Sequence, residues 1–214
     1  MYAHEKDTKT GLGTIFRGQT GEWGTVGADE LSALLWRERR QLELLLYRLE
    51  TQLLHVRAGN WHWLKFAAGD VEKVLENLRF DTLSRNIESS ARAIEWRLPA
   101  NATLPMIASV APPGIWPELL QEHHRELVLL LKQVETTAAA NLESLLMGPQ
   151  GARNPPLDSV QPGDIMAPSA PGAIVQAGTV DDVMLLAENA NIERALAVTR
   201  DCSLPLLREF LGLA

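Results

Sequence analysis

Leu31, Leu35, Leu42, Leu45, Leu49, Leu53 and Val56 recur every three, four or seven positions. That spacing returns to one side of a 3.6-residue helix, so it predicts a single amphipathic helix over 28–58. Leu34, Leu46 and Leu54 widen the apolar stripe. Asp29 and Glu30 place negative charge at the helix start, where the dipole favours it, and Gly59-Asn60 end it. A helix this long cannot bury its apolar side alone. It requires partners of similar length.

Two such partners follow. Leu64, Ala68, Val71, Leu75, Leu78, Thr82 or Leu83, Ile87, Ala91, Ile94 and Leu98 mark the apolar stripe of a second helix over 61–98, stopped by Pro99. Leu120, Leu127, Leu131, Val134, Ala138, Leu142 and Leu145 mark a third over 116–147. Pro117 suits its first turn, and Gly148-Pro149 end it. In the proline-broken connection 99–115, Leu104, Met106, Ile107 and Val110 suggest a short helical turn capping the bundle. Leucine supplies 35 of the 214 residues. It is a good helix former, unlike the β-branched and aromatic types that fill strands. The expected fold is therefore all-α: a long antiparallel helical bundle of three long helices plus a shorter C-terminal helical segment.

The chain divides by composition. Residues 1–27 are rich in Gly and Thr without periodicity and read as a disordered N-terminal arm. Residues 28–147 form the bundle. Residues 148–178 hold six prolines and five glycines and read as a linker. Residues 179–214 are the C-terminal amphipathic segment. Thr179 is its N-cap, and Asp181-Asp182 lie in its first turn. Val183, Leu186, Ala190, Arg194 and Ala197 step along one side of it. An apolar tail follows: Leu204, Leu206, Leu207, Phe210, Leu211 and Leu213. A segment of this kind either docks on the bundle as a fourth helix or waits for a partner, and the sequence leaves both open.

The totals exclude several functions. A pI near 5.3 and a net charge of −7 argue against nucleic-acid binding, which needs a basic face. Cys202 is the only cysteine, so no intrachain disulfide and no multi-cysteine zinc site can form. No apolar run resembles a secretory signal or reaches the ~18 residues of a membrane span. The expected location is the cytoplasm, without membrane insertion.

Candidate chemistry is sparse. His123-His124 lie beside Glu122 and Glu126, but adjacent histidines on a helix point about 100° apart and cannot share a metal. This cluster reads as a solvated or interhelical face. His62 sits between Trp61 and Trp63, and His55 borders the first stripe, neither with acidic or thiol companions. Cys202 has no neighbouring base and reads as an apolar filler. Gly11-Leu12-Gly13 opens no βαβ unit, so it is no dinucleotide loop. The reading is a non-enzyme with no cofactor, no metal and no catalytic residue. Trp36, Trp61, Trp63, Trp96 and Trp116 fall in helices or at their ends. They suit packing of the bundle ends or, alternatively, a groove for a partner helix. Self-association of the stripes and tail into a homodimer, as a structural or scaffold bundle, is the alternative function.

The run Leu31-Ser-Ala-Leu-Leu-Trp-Arg-Glu-Arg-Arg-Gln-Leu-Glu-Leu-Leu-Leu-Tyr-Arg-Leu-Glu50, then Gly59, Trp63 and Val71-Glu-Lys-Val-Leu-Glu76, resembles the FlgN family. The likeness is to its actinobacterial-like members, over about 28–147. These are cytoplasmic type III secretion chaperones of flagellum biogenesis. The resemblance implies a helical bundle that binds the terminal helices of the hook–filament junction proteins FlgK and FlgL before export. Client contacts in the family lie in the C-terminal region, which by position implies Val183, Leu186, Leu204, Leu207, Phe210 and Leu211. It also implies docking on the export gate through a tyrosine near the C-terminus. The tyrosines here are Tyr2 and Tyr47, with Phe210 as the candidate substitute.

Overall fold

The computed structural model describes residues 23–152 and 180–213. Among these residues the regular structure is entirely helical. Helix α1 spans Trp23–Arg57. A 3-10 turn, Trp61–Trp63, leads into α2, Leu64–Glu95. A short α3, Leu104–Val110, bridges to α4, Trp116–Ala152. Helix α5 spans Val180–Arg200, and a 3-10 turn, Asp201–Ser203, joins it to α6, Pro205–Phe210.

The helix ends follow local chemistry. Gly59 takes φ 67, and Asn60 N–H donates to the His55 carbonyl at 2.9 Å. This closes α1 with a left-handed cap. Helix α2 ends at Glu95, before the expected 98. Arg97 takes the left-handed position at φ 64, and Leu98 N–H reaches back to the Ala93 carbonyl at 2.7 Å. Helix α1 begins at Trp23 rather than Ala28, so the expected arm overlaps it, while 1–22 lie outside the described residues. Gly27 is buried with the Arg92 guanidinium laid against it; a Cβ there would stand 1.8 Å from Nη1. That tertiary contact, not an apolar pattern, accompanies the additional turn. The expected linker, 148–178, lies outside the described residues from 153 on. Before that, the helix continues to Ala152 across a kink at Gly148, where φ is 58 and ψ −174.

Helix α1 lies beside α2 and α4, and α5 lies beside the same two. The four therefore run α1, α2, α5, α4 around the core. Helix α4 runs parallel to α1: Ser32 meets His123 near their starts, and Gln52 meets Asn141 further along. Helix α5 runs parallel to α2, with Arg194 bonded to Glu72 and Arg79 to Asp201. The core holds Leu31, Leu35, Leu42, Leu45, Leu49, Leu64, Leu78, Leu120 and Leu127, each 2% exposed or less. Leu54 is the exception in the first helix, exposed although the sequence put it on the buried stripe.

The C-terminal segment docks as the fourth side of the bundle. Ile192, Ala195, Leu196 and Val198 of α5 join the core, followed by Cys202, Leu207, Phe210 and Leu211. Thr199 sits in a buried node with Gln52 and Asn141, where Gln52 Nε2 donates to Thr199 Oγ1 at 2.9 Å. This corrects the phase expected for α5. Leu186, Ala190, Arg194 and Ala197 form its outward side, because the face two to three positions away carries the larger apolar surface. Of the implied client contacts, Phe210 and Leu211 are core residues, 7% exposed or less, and Leu207 is buried beneath an open groove that it helps to line.

Candidate helix-binding surface

Helix α2 changes character along its length. From Leu64 to Leu78 the apolar residues face inward except for Phe66, which is 57% exposed: Leu64, Ala68, Val71, Leu75 and Leu78 are buried. Beyond Leu78 the pattern inverts. The inward positions are Asp81, Arg85, Ser89 and Ala93. The outward ones include Phe80, Leu83, Ile87 and Ile94, each 59–65% exposed. The periodicity of the sequence puts Ile87, Ile94 and either Thr82 or Leu83 inside. Two stripes compete on this half-helix, one apolar and one polar, and the polar one turns in.

The reason lies on α1. Glu38 is fully buried and faces Arg85, whose side chain is equally inaccessible. The pair is bidentate: Arg85 Nε donates to Oε2 at 2.9 Å and Nη2 to Oε1 at 3.0 Å. Thr82 Oγ1 donates to Glu38 at 2.8 Å, and Arg85 Nη1 to Asn86 Oδ1 at 2.6 Å. The Phe210 ring covers the guanidinium at 4.0 Å. Arg37 adds a second ion pair to the buried Asp81 at 2.7 Å. Charges taken out of water must be paired and hydrogen-bonded. Satisfying Glu38 and Arg85 together turns this face of α2 inward and its apolar side chains outward.

Beside the exposed stripe, α2 and the C-terminal segment border an open groove of about 380 Å³. Leu75, Leu78 and Leu83 line one wall; Leu204, Pro205, Leu206 and Leu207 line the other. Leu204 holds φ 45, a left-handed conformation that a branched side chain rarely adopts. It turns the chain from the 3-10 turn into α6 and so sets the second wall. His124 Nε2 and the Leu211 carbonyl, 3.0 Å apart, hold the far end of that segment on α4, as does Arg208 bonded to Glu135.

The implied client residues divide accordingly. Leu204 lines the groove, half-buried, and Leu207 forms part of its floor. Leu186 is exposed on α5, away from the groove's lining. The side chain of Val183 lies outside the described residues. Phe210 covers Arg85 instead of facing solvent. Phe80, Ile87 and Ile94 are surface residues that the periodicity does not identify, and the i, i+4 series Asp81, Arg85, Ser89 opposite Glu38 is the signal of the inversion.

The remaining candidates carry structural roles. His123 is buried, 3.0 Å from Ser32 Oγ and edge-on to Trp36. Burial, then the nearby Arg39 charge, holds its imidazole below the usual range. Among the described residues, no group of three or more His, Cys, Asp and Glu side chains could hold a metal ion. Cys202 is buried, and burial beside Asp201 pushes its thiol up to about 12. Trp61 and Trp116 are buried, whereas Trp36 and Trp63 are about half exposed. No described helix is long and apolar enough to cross a membrane. Comparison with protein-family models, curated proteins and solved structures returns no match.

Proposed function

We propose that this protein is a non-enzymatic chaperone that holds an amphipathic helix of a client in the groove between α2 and the C-terminal segment. The observation that carries this reading is the inverted second half of α2. Its outward apolar side chains are not used by the monomer's own core, and one of them, Leu83, lines an open groove whose leucines stand among Arg79, Arg200 and Asp201. Helix-in-groove recognition needs such a surface, with anchors entering every three or four residues. The resemblance to the FlgN family narrows the client to the terminal helices of FlgK and FlgL, held in the cytoplasm before export. Docking on the export gate is part of the same reading. Phe210 is an unsuitable gate contact as docked, since it is 7% exposed.

Mixing the full chain with a peptide of the C-terminal helix of FlgK or FlgL gives a 1:1 complex on size-exclusion chromatography. Leu206→Glu charges an exposed wall of the groove and abolishes the complex, whereas Leu186→Glu on α5 leaves it intact. Point variants suit this test better than truncation at 179, which would strip the core of its fourth side. An absent complex, or one indifferent to Leu206→Glu, overturns the reading.

A further inference from the structure

The groove between α2 and the C-terminal segment is not uniformly apolar, and its polar groups are unevenly engaged. On the α2 wall, Thr82 Oγ1 donates to Glu38, and Asn86 Oδ1 accepts from Arg85. Both are tied to the buried pair, which leaves Asn86 its amide donors for the groove. Arg79 stands on the same wall, and Arg200 and Asp201 stand across from it at the end of α5. Arg79 Nη2 meets Asp201 Oδ2 at 3.3 Å, a single contact between side chains 71% and 62% exposed. An exposed pair of this kind is worth little, so a competing carboxylate can displace it. Arg200 is exposed and has no carboxylate at ion-pair distance among the described residues.

Two guanidinium groups thus share the groove with one carboxylate. The local excess is positive, on a chain whose net charge is −7. Hydroxyls aside, donors also exceed acceptors: two guanidinium groups and an amide face the groove against the Asp201 carboxylate. A complementary ligand is apolar along most of its length and carries a negative charge beside its anchors. Arg79 lies on the same side of α2 as Leu75 and Leu83, four residues from each. A helix laid along α2 matches that spacing with a carboxylate three or four residues from a leucine-like anchor. We propose that Arg200 and Arg79 are the specificity-determining residues of the groove and select a client helix bearing an Asp or Glu one turn from its apolar anchor. This inference rests on the helix-binding reading above and names the client chemistry that the leucine walls leave open. Asp201 works in the opposite direction: it occupies Arg79 while the groove is empty and repels an incoming carboxylate.

The test follows the fluorescence anisotropy of a labelled peptide of the FlgK or FlgL C-terminal helix added to the full chain, at two salt levels. Arg200→Gln weakens binding about two- to fivefold, the worth of one exposed ion pair, and Arg200→Glu weakens it further. Asp201→Asn strengthens binding, because it removes the repulsion and frees Arg79. Added salt weakens binding by the parent chain. When the acidic residues of the peptide are changed one at a time to their amides, one of them costs as much as Arg200→Gln and adds nothing to it. Binding that responds to Leu206→Glu but not to Arg200→Glu, that Asp201→Asn weakens, or that couples no peptide carboxylate to Arg200 overturns this inference and leaves the helix-binding reading standing. A parent chain that binds neither peptide overturns both.

Discussion

The two halves of α2 are continuous in backbone and opposite in logic. The first half, Leu64 to Leu78, points its apolar side chains apart from Phe66 into the core, as the periodicity of the sequence requires. The second, Phe80 to Ile94, points them outward around a buried ion pair. Burial of leucine stabilises the fold at roughly 1.5–3 kcal/mol per side chain. A buried ion pair often contributes little net, though breaking it is costly. The first half therefore supplies stability. The second supplies register and leaves its apolar side chains exposed.

Arg85 gives the sharpest way to break this contrast. Arg85→Ala strands the Glu38 carboxylate in the core and is expected to cost about 3–5 kcal/mol in chemical denaturation. Replacing both residues by methionine should recover that loss, reaching or exceeding the parent stability. A large loss in the double variant would mean that the pair itself holds the fold. Next come two leucines, one from each half. Leu78→Ala removes a core side chain and is expected to cost about 2–5 kcal/mol. Leu83→Ala should stay within about 0.5 kcal/mol in the monomer. Equal losses would erase the distinction.

A smaller effect concerns pH. His123 lies on α4 at the same end of the bundle as the inverted half of α2, and its folded value is held low by burial and by Arg39. As pH falls below the usual histidine value of about 6.5, the unfolded chain takes up a proton that the folded chain resists. Stability at this site is therefore intact above that value and declines below it. His123→Gln should flatten that part of the pH profile; an unchanged slope would point to other groups. The smallest effect is expected at Cys202. Its thiol, pushed up to about 12, should react with a disulfide reagent only on unfolding, and fast reaction in the native state would show that the C-terminal segment opens.

The all-α class and most of the core of α1 and α4 were legible in the sequence. A leucine stripe with charges between its members has only one inward side. Helix α2 defeated that reasoning because the apolar and polar stripes of its second half are both regular, and periodicity alone cannot say which turns in. The choice depends on Glu38, 47 positions from Arg85, which is a tertiary fact. Helix α5 failed for a related reason: it is rich in alanine, so its two sides differ little in apolar content. The surface followed the same rule. Sequence placed it on the C-terminal leucines, but Leu207, Phe210 and Leu211 complete the core. On the exposed stripe of α2, Ile87 and Ile94, and Leu83 as the alternative to Thr82, are positions that periodicity assigns to the interior.

The buried node that joins Gln52 to Thr199 links positions 147 residues apart. Translation delivers α1, α2 and α4 well before α5 and α6 emerge from the ribosome. Until then the three long helices form a trough with one side open to solvent. The nascent chain passes through that interval with the leucines that α5 and α6 later cover still exposed.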